Sequence, residues 1–233
     1  MKKIRNIIAI GGGGFGRNPG EGLIERYLLQ QTKKKTPKIL FIPTATGDNE
    51  AYKVNFYSTF SNLDCFPSHL DFFKRTPDLN DLIPNQDIIF VGGGNTKSML
   101  AVWKDWGLDI LLKEAYEKGV IMSGVSAGAI CWFDQGITDS WLGDLKLIDC
   151  LGFIGGACCP HYDEEPQRKP SLNKFLSEKI LKSCYAVDGG CALHIKDEKE
   201  FKSIVFSKNK NSFLVELNDN KIVEQSYSTI DIF

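Results

Sequence analysis

The chain has 233 residues, and its 28 lysines and arginines nearly balance its 29 aspartates and glutamates, which gives a formal net charge of -1. A balance this even argues against an electrostatic grip on nucleic acid or on an anionic membrane surface. Hydrophobic residues make up 42% of the chain and charged residues 24%, so disordered and fibrous classes are excluded and a sizeable core can be buried.

Short apolar runs alternate with segments of helical periodicity as far as Val187. The apolar runs predict strands over residues 3–10, 38–42, 88–91, 120–122 and 185–187. The periodic segments predict helices over residues 22–31, 49–61, 96–103, 108–118 and 172–182. Strands that read as buried on both faces, with helices between them, predict an α/β fold with a mostly parallel sheet flanked by helices.

After Gly190 the pattern changes to four short runs over residues 192–195, 203–207, 212–217 and 221–225, separated by polar turns. This spacing predicts a C-terminal antiparallel β meander that closes one edge of the sheet. No linker or internal repeat interrupts the chain, so we expect a single domain over residues 1–233.

The sequence also predicts where the protein works. The longest weakly polar run, residues 119–133, falls short of the roughly 18 apolar residues of a membrane helix. Seven cysteines without a CxxC pair favour reduced thiols. We therefore expect a cytoplasmic protein without a membrane partner.

Two glycine-rich turns follow predicted strands. Residues 11–16 formally contain GxGxxG, but the second strand ends in Pro43 rather than near an acidic residue, so a plain tight turn is favoured over nucleotide binding. Residues 92–94 precede a predicted helix, where glycines let backbone N–H groups approach a ligand closely, although a bare turn explains them too. Asn95 follows this turn, and we assign it to substrate binding.

A third turn, residues 124–128, reads GVSAG between a strand and a helix, which is the context of a nucleophile elbow centred on Ser126. A serine hydroxyl needs a base, and histidine is the usual one near neutral pH. His194 lies in the middle of a strand and His69 has no catalytic context. His161 follows Pro160 in a predicted loop, so it is the best candidate.

A carboxylate should orient the base. Asp139 lies in a loop between the nucleophile and the histidine, and Asp134, Asp144 and Asp149 compete with it because spacing alone does not separate them.

Charged residues directly after His161 are candidates for substrate binding. Glu164, with Asp163 and Glu165 beside it, is predicted to pair with a free substrate amine; a solvated acidic loop is the alternative. Arg168 is predicted to pair with a substrate carboxylate; an exposed loop arginine is its alternative.

The motifs together resemble the S51 serine peptidases, the family of dipeptidase E and cyanophycinase. The resemblance rests on the VGGGNT turn at residues 91–96, the GVSAG elbow, the Pro160–His161 pair, and the N-terminal glycine turn with the segment 41–45, and it covers residues 3 to about 161. It implies a flavodoxin-like relative of the class I glutamine amidotransferase fold. It also implies acyl transfer by serine, histidine and an acid in that chain order.

Carried over by motif, the resemblance makes Ser126 the nucleophile and His161 the base, and it makes Gly94 and Ala127 the backbone donors of an oxyanion hole. Asp139 is the position most similar to the acid. The resulting prediction is a serine exopeptidase of dipeptidase or aminopeptidase type, acting on a small peptide without a metal or other cofactor. Nucleic acid is not an expected partner, and homodimer formation is left open.

Three rival interpretations remain. A metal cluster of Cys158, Cys159, His161, Asp163 and Glu164 is disfavoured because adjacent cysteines do not converge easily on one ion. An esterase would share GxSxG, but no HGGG stretch precedes the elbow. A non-catalytic module that binds a small molecule or nucleotide would keep the glycine turns without needing the serine, histidine and acid together.

Overall fold

A computed structural model describes residues 3–233. Within this range the strands are β1 (Asn6–Ile10), β2 (Lys38–Ile42), β3 (Phe66–His69), β4 (Ile88–Val91), β5 (Ile121–Val125), β6 (Phe133–Thr138), β7 (Lys146–Asp149), β8 (Ile154–Cys159), β9 (Ser183–Val187), β10 (Cys191–Lys196), β11 (Glu200–Val205), β12 (Ser212–Asn218), β13 (Lys221–Ser226) and β14 (Thr229–Asp231). The α-helices are α1 (Leu23–Gln30), α2 (Glu50–Phe60), α3 (Leu79–Leu82), α4 (Thr96–Asp105), α5 (Leu108–Glu117), α6 (Ala127–Ile130) and α7 (Arg168–Ser177). None of these helices has both the length and the hydropathy that crossing a bilayer requires.

The larger sheet has eight strands in the order β14-β11-β10-β1-β5-β4-β2-β3, and its five strands from β1 to β3 run parallel. Alternate residues of these strands pack on opposite faces. Ile7 and Leu40 share one core with α4 and α5, whereas Ile8 and Phe41 share the other with α1 and α2. Helices on both faces explain why these strands read as unbroken apolar runs. The predicted α/β class is confirmed.

A second sheet has six strands in the order β13-β12-β9-β8-β6-β7. Strands β6, β8 and β9 run parallel, and α7 covers them with Leu172 and Leu176. The predicted helix over residues 172–182 is displaced toward the N-terminus, since α7 begins at Arg168 and ends at Ser177.

The C-terminal antiparallel strands are present, but they do not form one meander on one edge. β10 pairs with β1 and β11 in the larger sheet, whereas β12 pairs with β9 and β13 in the second sheet. The two sheets are joined where the Ser212 amide and hydroxyl both donate to the Ser203 hydroxyl, at 3.0 and 2.8 Å. Both serines are fully buried, so these hydrogen bonds satisfy hydroxyl and amide groups that would otherwise have no partner in the core.

Three parallel strands end side by side at one edge of the larger sheet. Ile10 of β1 pairs with Val125 of β5, and Val91 of β4 pairs with Gly124. The predicted glycine turns follow directly at residues 11–14 and 92–94, with Ser126 between them. This edge is where ligands bind in open α/β sheets.

Candidate active site

Ser126 lies at a sharp turn between β5 and α6. Its backbone has φ 57° and ψ -112°, a conformation that non-glycine residues rarely adopt. A Cβ atom at Gly124 would lie 2.5 Å from the Gly128 carbonyl oxygen, and one at Gly128 would overlap the Val91 carbonyl. The turn therefore requires both glycines of the GVSAG sequence, and it presents the Ser126 side chain at the edge of the sheet.

A cavity of about 440 Å³ opens at this edge. The residues that line it come from the glycine turns, from the segment 46–55 that includes the start of α2, from the end of β5 with Ser126, and from the loop after β8. The lining residues are Gly13, Gly16, Arg17, Thr46, Asn49, Ala51, Tyr52, Asn55, Gly93, Gly94, Val125, Ser126 and His161. A larger concavity of about 520 Å³ on the outer face of α2 contains neither Ser126 nor His161. The candidate site is the smaller cavity, because the predicted nucleophile and base both line it.

His161 has a positive φ of 53° and is buried. Its Nδ1 atom lies 2.8 Å from Glu164 Oε2. An ionised carboxylate only accepts hydrogen bonds, so Nδ1 is the donor of this pair, and in the neutral ring Nε2 then carries the lone pair. Among residues 3–233 no hydrogen bond joins His161 to the Ser126 hydroxyl. The two side chains share the cavity, and substrate-free sites often leave this contact long.

Glu164 reaches His161 because a turn at residues 161–164 places both side chains together; the Glu164 amide donates to the His161 carbonyl at 3.1 Å. A Cβ atom at Gly189 would overlap the Glu164 carboxylate, so that glycine makes the space the carboxylate fills. Burial raises the pKa of Glu164, but hydrogen bonds from Arg17 and His161 outweigh burial and lower it below its usual value. Glu164 is thus an ionised partner of the histidine.

The structure does not bring Asp139 to His161. Asp139 is exposed after β6, and within residues 3–233 its side chain makes no hydrogen bond or ion pair. The geometry therefore favours Glu164, predicted to bind substrate, as the carboxylate that orients the base. The sequence signal for this role was the spacing of three residues between His161 and Glu164, which suits a single tight turn.

Two predicted substrate-binding residues have other contacts. Asn95 caps α4: its side chain accepts from the Ser98 amide at 2.9 Å and donates to the Ser140 carbonyl at 3.1 Å. Arg168 is buried, and its guanidinium donates to Glu165 Oε2 at 2.6 Å and to the Ile137 carbonyl at 2.8 Å. Neither residue is among those that line the cavity, so the cavity gives no support to either substrate-binding prediction. Arg168 faces inward because it begins α7, which packs on the second sheet.

The predicted oxyanion donors lie on either side of Ser126. Gly94 lines the cavity with φ 133°, and Ala127 is the first residue of α6. Among residues 3–233 the amides of Gly94 and Ala127 have no protein acceptor. The adjacent turn is close, since a Cβ atom at Gly93 would lie 3.8 Å from the Ser126 hydroxyl oxygen. Two free N–H groups beside a nucleophile can stabilise a developing oxyanion.

Sequence reasoning missed two prominent residues of the cavity. Tyr52 of α2 packs against Gly92, where a Cβ atom would lie 2.9 Å from its ring, and burial raises the pKa of its phenol to about 12. Arg17 donates to Glu164 Oε1 at 2.6 Å. The sequence of the N-terminal glycine turn suggested phosphate binding or a plain turn, and neither interpretation predicts a role for Arg17.

The described part of the chain holds no group of three His, Cys, Asp or Glu side chains placed to bind one metal ion. Cys158 and Cys159 are buried in the core beside Cys184, and burial raises the pKa of each thiol.

The fold and the elbow define an α/β protein in which Ser126 lies between two glycine turns at the sheet edge. Residues 7–203 match the model of peptidase family S51, and the chain belongs to this family. It is therefore a peptidase.

Relatives and solved structures agree with this assignment. The chain is 44% identical over 222 residues to the uncharacterized peptidase YgaJ of Bacillus subtilis, covering 95% of this chain and 96% of that protein. It is 27% identical over 174 residues to the uncharacterized peptidase Lmo0363 of Listeria monocytogenes, covering 69% and 83%.

The crystal structure of a peptidase from an acI-B1 actinobacterium superimposes with a TM-score of 0.72 at 18% identity, covering 98% of this chain and 96% of that one. A putative peptidase E protein from Listeria monocytogenes gives 0.64 at 22% identity, covering 88% and 100%. At these identities the two structures show a shared fold.

Proposed function

We propose that the protein is a serine peptidase in which Ser126 is the nucleophile, His161 the general base and Glu164 the carboxylate that orients it. One observation carries the proposal: a serine on a strained elbow and a histidine with its Nδ1–H held by a carboxylate line the same cavity. This arrangement satisfies the roles of a catalytic triad, although its acid follows the histidine by three residues.

The proposed reaction is acyl transfer in two steps. His161 Nε2 accepts the hydroxyl proton as Ser126 Oγ attacks the peptide carbonyl, and the Gly94 and Ala127 amides donate to the resulting oxyanion. The imidazolium then protonates the leaving amine as the C–N bond breaks. A water molecule attacks the acyl-enzyme by the same route in reverse, which releases the carboxylic acid and restores Ser126.

The proposal extends to short peptides as substrates and to exopeptidase action of dipeptidase or aminopeptidase type. A cavity of about 440 Å³ supports a small substrate, because it lies in the range of small-molecule sites. The residues expected to read a free amine do not support that detail, since Glu164 is held by Arg17 and His161 while Glu165 pairs with Arg168. We also propose a cytoplasmic location, which the seven free thiols support.

A fluorophosphonate probe tests the nucleophile. The wild-type protein should be labelled at Ser126, and Ser126→Ala should lose labelling and turnover while its melting temperature stays nearly unchanged. The matched control is Ser123→Ala, which removes a fully buried hydroxyl on β5, the strand that leads to Ser126, and should still be labelled. Persistent labelling in Ser126→Ala would exclude this nucleophile.

Substrate panels separate the rival functions. Dipeptides and aminoacyl amides should be cleaved, and N-acetylated forms should be cleaved poorly if the enzyme is an exopeptidase that reads the amine. A labelled protein that hydrolyses only esters would be an esterase. A protein that is not labelled and binds a nucleotide would be a non-catalytic module of the same fold.

A further inference from the structure

Arg17 contacts the proposed base and its carboxylate together. It follows the glycine turn after β1, and its Nη1 atom donates to Glu164 Oε1 at 2.6 Å. Its Nη2 atom lies 3.3 Å from His161 Nδ1. The two carboxylate oxygens of Glu164 therefore have separate partners, His161 on Oε2 and Arg17 on Oε1, which prevents the carboxylate from rotating away from the imidazole.

The contact between Arg17 Nη2 and His161 Nδ1 is electrostatic and is not a hydrogen bond. Nδ1 already uses its proton in the hydrogen bond to Glu164, so it has no lone pair in the ring plane to accept a second one from Nη2. A guanidinium keeps its charge across the whole accessible pH range. A fixed positive charge therefore lies 3.3 Å from Nδ1 of the ring.

The other groups near the His161 loop have partners of their own. Asp163 accepts from the Gly189 amide at 2.8 Å and pairs with Lys210. Asp188, at the end of β9, accepts from the Asn211 amide at 3.0 Å. Tyr52, across the cavity on α2, stays a neutral phenol at neutral pH because burial raises its pKa to about 12. Among the residues of 3–233 that line the cavity, Arg17 is the only Arg, Lys, Asp or Glu.

Resting on the proposed function, we propose that Arg17 is a positioning residue: it binds Glu164 Oε1 while His161 binds Oε2, and so it keeps the carboxylate aligned with the base. It also ties the glycine turn after β1 to the loop after β8, which joins two segments of the cavity wall. Half of the Arg17 side chain is exposed, so the residue is reachable by solutes and by substrate.

The test compares Arg17→Gln with Arg26→Gln, an exposed arginine on the same N-terminal segment whose guanidinium donates to the Glu21 carbonyl. Arg17→Gln should lower kcat by about 10- to 100-fold, as loss of residues that orient a reactive group typically does, and should change KM by less than about threefold. Arg26→Gln should match the wild type.

Two further measurements make the outcome decisive. Added guanidinium ion should restore part of the activity of an Arg17→Ala variant, and Arg17→Lys should retain more activity than Arg17→Gln. A rise in KM with unchanged kcat would overturn the proposal and make Arg17 a substrate-binding group. If Arg17→Gln is labelled at Ser126 slowly but completely, the proposed serine mechanism stands. If the wild-type protein is not labelled, the proposed function itself has failed.

Discussion

The loop that carries His161 and the strand that carries His194 both bury an imidazole, at 6% and 3% exposure, yet they surround it differently. His161 lies beyond the end of β8 between the charged side chains of Glu164 and Arg17. His194 lies within β10, where the Tyr27 hydroxyl is 2.6 Å from Nδ1 and Asn6 Oδ1 is 3.0 Å from Nε2.

The partners decide what each ring can do. Both nitrogens of His194 are occupied by neutral groups, and burial, helped by the charges of Lys196 and Lys202, lowers its pKa to about 3. His194 is therefore a neutral core residue, as expected from its position in the middle of a strand. His161 has one nitrogen held by a carboxylate and the other outside the hydrogen bonds of the described residues. Burial alone does not separate a base from a structural histidine; the free nitrogen and the charged partner do.

Removing the charge beside His161 should have the largest effect. Glu164→Gln should lower kcat by about 10³-fold, because the neutral amide no longer stabilises the imidazolium or selects the required tautomer. Asp139→Asn is the matched control and should change kcat less than about twofold. Steady-state kinetics on both variants decide the assignment, and a greater loss in Asp139→Asn would return the acid to the position that resemblance indicates.

The core histidine should affect stability instead of turnover. The pKa of His194 is about 3 in the folded protein and about 6.5 when unfolded, so the unfolded state takes up a proton first as pH falls. This group should remove about 3 kcal/mol of stability between pH 7 and pH 4. His194→Gln should abolish that part of the slope in urea titrations, whereas Tyr27→Phe, which keeps the buried ring, should retain it. An identical slope in His194→Gln would show that the ring does not stay neutral.

A buried carboxyl near the His161 loop should change the pH dependence of stability by a smaller amount and in the opposite direction. Burial raises the pKa of Asp188 to about 6; the Asn211 amide opposes this shift and Asp163 adds to it. The folded state thus holds this proton more tightly than the unfolded state, and stability is lost as pH rises from about 4 to 7, by about 2 kcal/mol. As pH rises over that window, the free energy of unfolding of Asp188→Asn should increase relative to that of the wild type. A difference independent of pH would contradict this.

Local patterns in the sequence were sufficient for much of this molecule. The apolar runs of β1, β2 and β4 predict parallel strands because helices must cover both faces of such strands. Glycines on both sides of Ser126 predict the elbow because the tight turn leaves no room for side chains at those positions, and this restriction involves only a few neighbouring residues. The same local reasoning singled out His161 by its place in a loop after an apolar run.

The tertiary structure decided the partners. Nothing in the sequence shows that β10 inserts beside β1 while β12 joins the second sheet, because the pairing of antiparallel strands depends on which edges are left open. The carboxylate beside His161 was also undecided from the sequence: Asp139 precedes the histidine and Glu164 follows it in the chain. Only Glu164 reaches the ring, in the space that Gly189 leaves. Arg17 and Glu164 are 147 positions apart, and their ion pair forms because two loops meet at one sheet edge. Conformational preferences act between neighbours in the chain, whereas an ion pair between distant residues forms only after packing has brought their segments together.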